Sequence, residues 1–197
     1  MGGSNSSAPK TMSSDDLGKN LSSLNLRFGK AMQEMLRAQG YTIAALGDKA
    51  EADKLSSEAD SLEGKDDINT VSRSISMSED CSKEIDSKTS SSGALDAQSK
   101  ALLASAVQHY ALGMVQAAQL PVEYQRWVTN AQATVNGMSS NPMNAIGGGG
   151  LVGRLKDVIT VTAHLPDLIS TWSSTTNNFA KFAKGNQVDT SGLSGKI

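Results

Sequence analysis

The feature that most constrains this chain is the run from residue 94 to residue 135, the longest continuous helical pattern and the most apolar one. Ala101, Leu102, Leu103, Ala104, Ala106, Val107, Tyr110, Ala111, Leu112, Met114, Val115, Ala117, Ala118 and Leu120 leave little of its surface suited to water. A helix apolar nearly all round needs other helices to cover it. The rest of the chain is expected to supply that cover. Aromatic residues make up only 4% and Pro occurs 4 times, while Val and Ile do not cluster in short alternating runs. Helices are therefore expected throughout, and 197 residues suffice for one domain with a substantial core.

Before the central run, Ser13, Ser14, Asp15 and Asp16 offer N-cap side chains and negative charge where a helix start favours both. Leu17, Leu21, Leu24, Phe28, Ala31 and Met35 then recur at spacings of four and three, one buried seam of a helix. The pattern continues through Ile43, Leu46, Ala50, Leu55, Ala59 and Leu62. Gly40 and Gly47 are thus read as weak points inside one long helix, with Gly64 as its stop. A second, Ser-rich helix is expected from Asp66 or Asp67, burying Ile68, Val71, Ile75, Cys81 and Ile85. Residues 48–88 carry twelve acidic and six basic side chains, which reads as a solvated charged surface, or as a contact for a basic partner. Residues 88–93 read as a connection, and residues 137–150, with four consecutive glycines, as a flexible loop.

The central helix contains Pro121, where a kink or break is expected, and a fourth helix starting near Leu151 contains Pro166. Pro121 lies sixteen residues before Gly137 and Pro166 sixteen after Gly150, so an antiparallel hairpin sets the two prolines at one level. The expected fold is all-α: an antiparallel bundle of about four long helices, two kinked at proline, over residues 13–185. Residues 1–12 and 186–197 are expected to be flexible ends. Where the kinked helices separate, Pro121, Tyr124, Trp127, Pro166 and Trp172 are the residues from which a pocket or interaction site is expected. Aromatic residues at helical spacing also serve simply as core filler.

Chemistry-bearing motifs are sparse. Gly148, Gly150 and Gly153 satisfy a G-x-G-x-x-G spelling, but no strand pattern precedes them and no acidic residue follows at the required distance, so no cofactor is expected. His109 and His164 lack ligand partners at helical spacing except Asp167, three residues beyond His164, and no metal site is expected. No serine or cysteine has a histidine assigned to it by pattern, so no catalytic residue is named and no enzyme is expected. Cys81 reads as a small buried hydrophobe. A formal charge of −2 and the absence of a basic run interleaved with aromatics argue against nucleic-acid binding. Gln108, His109, Gln116 and Gln119 interrupt the best candidate for a membrane span. The chain opens without a signal peptide, which fits either a cytoplasmic protein or one whose export signal is removed.

Met1, Gly2, Gly3, Ser4, Asn5, Ser6, Ser7, Ala8 and Pro9 form a small, polar, flexible start. This stretch resembles the tether that follows the lipidated cysteine of mature bacterial lipoproteins, with Met1 standing where that class has cysteine. The resemblance implies a periplasmic or outer-membrane-anchored protein, associated with the membrane only through an N-terminal lipid. The function expected is a non-enzymatic envelope protein acting on an unknown protein partner through its helix surfaces. Two alternatives stand beside it, a carrier of an apolar ligand held between the kinked helices and a membrane-active helical toxin or effector that opens to expose residues 101–120.

Overall fold

The computed structural model describes residues 12–139 and 149–195; Met1 and residues 140–148 of the glycine-rich loop lie outside them. Among the described residues the chain is all-α. It forms six α-helices, α1 (Ser14–Ala45), α2 (Lys49–Ser61), α3 (Ile68–Ser91), α4 (Ala97–Ala117), α5 (Leu120–Ser139) and α6 (Gly149–Gly185), then a 3-10 turn at Ser191–Leu193.

The expected first helix divides at Gly47. Asp48 N–H bonds to Ile43 O at 3.1 Å and Gly47 N–H to Ala44 O at 3.0 Å, with Gly47 at φ +95°. That pair of bonds around a left-handed residue is a Schellman stop, so Gly47 ends α1. The apolar seam misled because α2 turns back on α1 and buries the same kind of side chain. A carbon added at Gly40 would lie 3.4 Å from Ala52 O and one at Gly29 3.9 Å from Leu62 O, so α2 runs antiparallel to α1, and Gln33 bonds Ala59 O at 3.0 Å between those two levels.

The expected central helix also divides. It turns at Ala118 and Gln119, immediately before Pro121, which has no N–H to offer Ala117 O. By contrast α6 runs through Pro166 as one helix. Pro166 is exposed, and its ring costs the helix only the one bond that Thr162 O would otherwise accept. The anticipated loop is shorter than residues 137–150, because α5 persists to Ser139 and α6 starts at Gly149.

Cross-helix bonds set the topology. Glu34 meets His109, Asn25 meets Tyr124, and Leu17 O meets Trp127, so α4 and then α5 run antiparallel along α1. Asn25 bonds Asp66 O and Gln39 bonds Ser78 O, which makes α3 parallel to α1. Asn69 meets Asp157, Ser78 meets Trp172 and Asp86 meets Asn178, which makes α6 parallel to α3. It follows that α1, α3 and α6 point one way, and α2, α4 and α5 the other.

The organising element is α1, which touches all five other α-helices. It buries Leu17, Phe28, Met32, Met35, Leu36 and Ile43, but also Asn25, Gln33, Glu34, Gln39 and Thr42. Each of these polar side chains has a hydrogen-bond partner, as burial requires. On α3 the serines carry the buried face: Ser74, Ser78 and Ser82 lie one turn apart and are all buried. Their hydroxyls meet Glu58, Gln39 and Trp172, so the Ser-rich seam ties α3 to α2, α1 and α6.

The end expected to be flexible packs instead. Val188 and Leu193 are buried, Val188 N–H bonds back to Ala183 O at 3.0 Å, and Asn186 accepts Leu95 N–H at 3.1 Å. Two apolar residues in a polar segment suffice to dock it, because the turn at Gln187 (φ 66°) directs the chain onto α4.

Aspartates cap three helices: Asp48, Asp67 and Asp96 accept the N–H of Glu51, Thr70 and Ser99 at 3.2, 2.8 and 2.7 Å. The Glu51 N–H and Lys88 hold Asp48 below the ordinary carboxylate value of 3.8, the Thr70 hydroxyl and N–H do so for Asp67, and the Ser99 N–H and hydroxyl for Asp96. A depressed carboxylate stabilises the fold above its unfolded value and loses that contribution as pH falls through the folded one. The thermal midpoint is therefore expected to hold from neutral pH to about pH 4 and to fall below it. Asp67→Asn keeps a competent cap and should flatten part of that acid slope; an unchanged slope in melts from about pH 2 to pH 7 would contradict the assignment.

Candidate interaction surface

Between Lys100 and Glu123 the sequence has no Asp, Glu, Lys or Arg. In α4 the inward side of this run is built of Leu103, Ala106, Val107, Tyr110, Gly113, Met114 and Ala117, packed chiefly on α1. The approach is close. A side chain added at Gly113 would meet Met35 Sδ at 2.7 Å and Cγ at 2.9 Å.

The expected cover is incomplete, because α4 keeps an outer face toward solvent. Ala101, Ala104, Gln108, Leu112, Val115 and Gln119 are exposed and recur at intervals of three and four, which is one helical stripe. Leu112 is 49% exposed and Val115 55%, and Val122, in the first turn of α5, is 63% exposed. An outer helix face ordinarily carries charge. Here the whole face is Ala, Gln, Leu and Val.

One flank of the stripe is held rigidly. His109 Nδ1 lies 2.6 Å from Glu34 Oε2, and its ring stacks on Tyr41 with centroids 5.3 Å apart and planes at 16°. A carboxylate can only accept, so His109 donates from Nδ1. Tyr41 and Leu102 also border an open groove of about 220 Å³ between α1, α2 and α4, below the roughly 300 Å³ at which small-molecule sites begin. Among the described residues no three His, Cys, Asp or Glu side chains gather in a way that could hold a metal ion. No described helix is long and apolar enough to cross a membrane.

The aromatic residues singled out in the sequence face in different directions. Tyr124 donates to Asn25 at 2.8 Å and Trp127 to Leu17 O at 2.9 Å, both on α1, whereas Trp172 donates to Ser78 on α3 at 2.8 Å. All three are buried, with their polar tips satisfied. Trp127 also borders a groove of about 310 Å³ that is open to solvent and has Asn20, Glu123, Arg126 and Asn130 on its walls. Pro121 is half-buried and Pro166 exposed. The antiparallel α5 and α6 share a shallow groove lined by Gln125, Val128, Gln132, Ile159, Thr162 and Ala163, and both prolines lie beyond the same end of it.

Sequence reasoning missed the outer stripe because it assigned the whole run to the interior. The signal was present in the polar residues that recur along it, Gln108 and Gln119. It also missed the Glu34 to His109 pair, which joins residues 75 positions apart.

Cys81 is buried on α3, and burial, with Glu84 nearby, pushes its thiol far up. Thiolate reagents are therefore expected to modify the folded protein far more slowly than the urea-unfolded chain. Equal rates in the two states would contradict its burial.

No protein-family model matches the chain, and neither a curated protein nor a solved structure matches it.

Proposed function

We propose that this chain is a non-enzymatic helical protein of the bacterial envelope, tethered by its N-terminal segment and acting on another protein through the outer face of α4. The observation that carries the reading is the exposed, charge-free stripe around Leu112 and Val115. An outer helix face without charge, on which Leu112 and Val115 stand exposed among Ala and Gln, suits a protein contact better than open water. The small polar residues from Gly2 to Pro9 support the tether.

Two measurements test the two halves of this reading. Mass spectrometry of the natural protein from a membrane fraction should find an acylated cysteine at the position of Met1, and an unmodified Met1 there overturns the tether. A photo-reactive amino acid at position 112 should cross-link to protein in cells of the natural source. Absence of any protein adduct there, with adducts absent also from position 115, overturns the contact surface.

A further inference from the structure

We infer that the C-terminal segment, residues 187–195, is a displaceable strap over one edge of the α4 contact face, and that the partner binds by taking the strap's place there. This rests on the contact surface proposed above and specifies how that surface is regulated. The 3-10 turn of the segment packs on α4, and Gly192 crosses Val107 so closely that a carbon added to the glycine would lie 3.5 Å from Val107 Cγ1. Val107 and Ala111 are one turn apart and both buried. Each has a neighbour in the exposed stripe at helical spacing, Ala104 three residues before Val107 and Val115 four after Ala111. Lifting the strap therefore widens the charge-free face from the stripe toward Val107.

The hold on that edge is slight. Of residues 187–195 only Val188 and Leu193 are buried. The hydrogen bonds of the segment stay within it or reach the last turn of α6, as with Val188 N–H to Ala183 O, Gln187 N–H to Lys184 O, Leu193 N–H to Thr190 O and Ser191 N–H to Asp189. Among the described residues none joins it to α4, so its contact there is apolar and lifting it away breaks no hydrogen bond to that helix. Asn186, which accepts Leu95 N–H, stays with α6 and marks where the strap begins. The pivot is Gln187, whose φ of 66° is left-handed, a conformation unfavourable for a residue with a side chain and released on opening. A segment held in this way opens by local unfolding, at far lower free energy than the fold as a whole.

The strap also shows what its seat accepts. It is a polar segment whose one charge, Asp189, is exposed, and Leu193 is the buried side chain of the turn that rests on α4. Because it is attached to the chain, the strap competes at high effective concentration. A partner displaces it by presenting an apolar side chain where Leu193 sits and covering Leu112 and Val115 as well, which the strap leaves exposed.

The test uses the full chain. The thiol introduced by Val107→Cys should react with a thiol reagent at least about a hundredfold faster than the buried Cys81 of the same chain, because it is uncovered by the strap alone. Adding Leu193→Asp should speed that reaction about tenfold more, with helicity unchanged. In extracts of the natural source, Leu193→Asp should also raise the yield of photo-adduct at position 115 by at least about threefold. Val107→Cys combined with Gly192→Cys should form a disulfide on mild oxidation that locks the strap and lowers that yield by at least about threefold, with reduction restoring it. A thiol at position 107 that reacts as slowly as Cys81 overturns the strap. Adducts of equal yield in the parent, in Leu193→Asp and in the oxidised pair overturn it too, and leave the contact surface standing. Absence of adducts at positions 112 and 115 in every variant overturns the contact surface itself, and this inference with it.

Discussion

Trp172→Ala is expected to lower the unfolding free energy by about 3–5 kcal/mol. Trp172 is fully buried in α6, and its indole N–H donates to Ser78 Oγ at 2.8 Å. Ser78 in turn donates to Gln39 Oε1 at 3.1 Å, and Gln39 Nε2 donates to Ser78 O at 2.8 Å and Ser82 Oγ at 2.9 Å. One residue from each of α1 and α6 thus meets two from α3, and truncating the indole opens a cavity beside a buried polar chain. A domain of this size has roughly 5–15 kcal/mol in total, so the loss is a large fraction of it. It should appear as a fall of roughly 6–20 °C in thermal midpoint. Trp172→Phe separates the two contributions, since it keeps most of the volume and removes the donor, and about 1–2 kcal/mol is expected from it. Gln39→Leu should cost about 2–4 kcal/mol by stranding the serine hydroxyls. Combined with Trp172→Phe it should cost less than the sum, because both act on one network. Urea titrations followed by circular dichroism measure these values; a Trp172→Ala loss under about 1 kcal/mol would show that α6 is not held through this residue.

That network shows where the sequence was legible and where it was not. The seam of Leu17, Leu21, Phe28, Ala31 and Met35 is buried as its spacing predicts, because apolar periodicity reports burial directly. Ser13 caps α1 as expected, accepting Asp16 N–H at 3.1 Å. The identity of the central helix was not legible. Hydrophobicity singles out the run that became α4 and α5, yet α1 occupies the middle, because Gln33 and Gln39 find backbone carbonyls on α2 and α3. A buried glutamine with a partner 26 or 39 residues away looks, in sequence, like one facing water.

Helix ends were legible where one residue decides them and ambiguous where geometry does. Gly64 and Pro121 were both anticipated as interruptions, and a left-handed φ of 68° at Gly64 and the turn before Pro121 follow from glycine's freedom and proline's missing donor. Gly47 and Gly40 look alike in the sequence, and only the fold-back of α2 separates a stop from a helical position. The candidate surface was legible only as composition. Absence of charge between Lys100 and Glu123 is visible in the sequence, but which side of that run lies against α1 depends on the single position without a side chain, Gly113.

Gly113→Leu is accordingly the second large effect expected, a loss of about 3 kcal/mol or more. Even a single carbon added at this position falls 2.7 Å from Met35 Sδ and 3.4 Å from Ala31 O. The methionine side chain can move, but Met35 is fully buried and the Ala31 carbonyl belongs to the backbone of α1. A leucine therefore drives α4 away from α1 at this tight contact. Leucine's better helix propensity, worth about 0.8–1.0 kcal/mol against glycine, offsets only part of this. Gly113→Ala should fall nearer neutrality, since the propensity gain opposes a smaller clash. The clash with Met35 also predicts a compensation. Met35→Ala alone should cost about 2–5 kcal/mol by leaving a cavity, and joining it to Gly113→Leu should cost less than the sum by more than about 1 kcal/mol, because the leucine fills space the methionine leaves. Additive losses in urea unfolding would mean that the two residues do not share that space, and would remove the basis for orienting the outer face of α4 by the packing at Gly113.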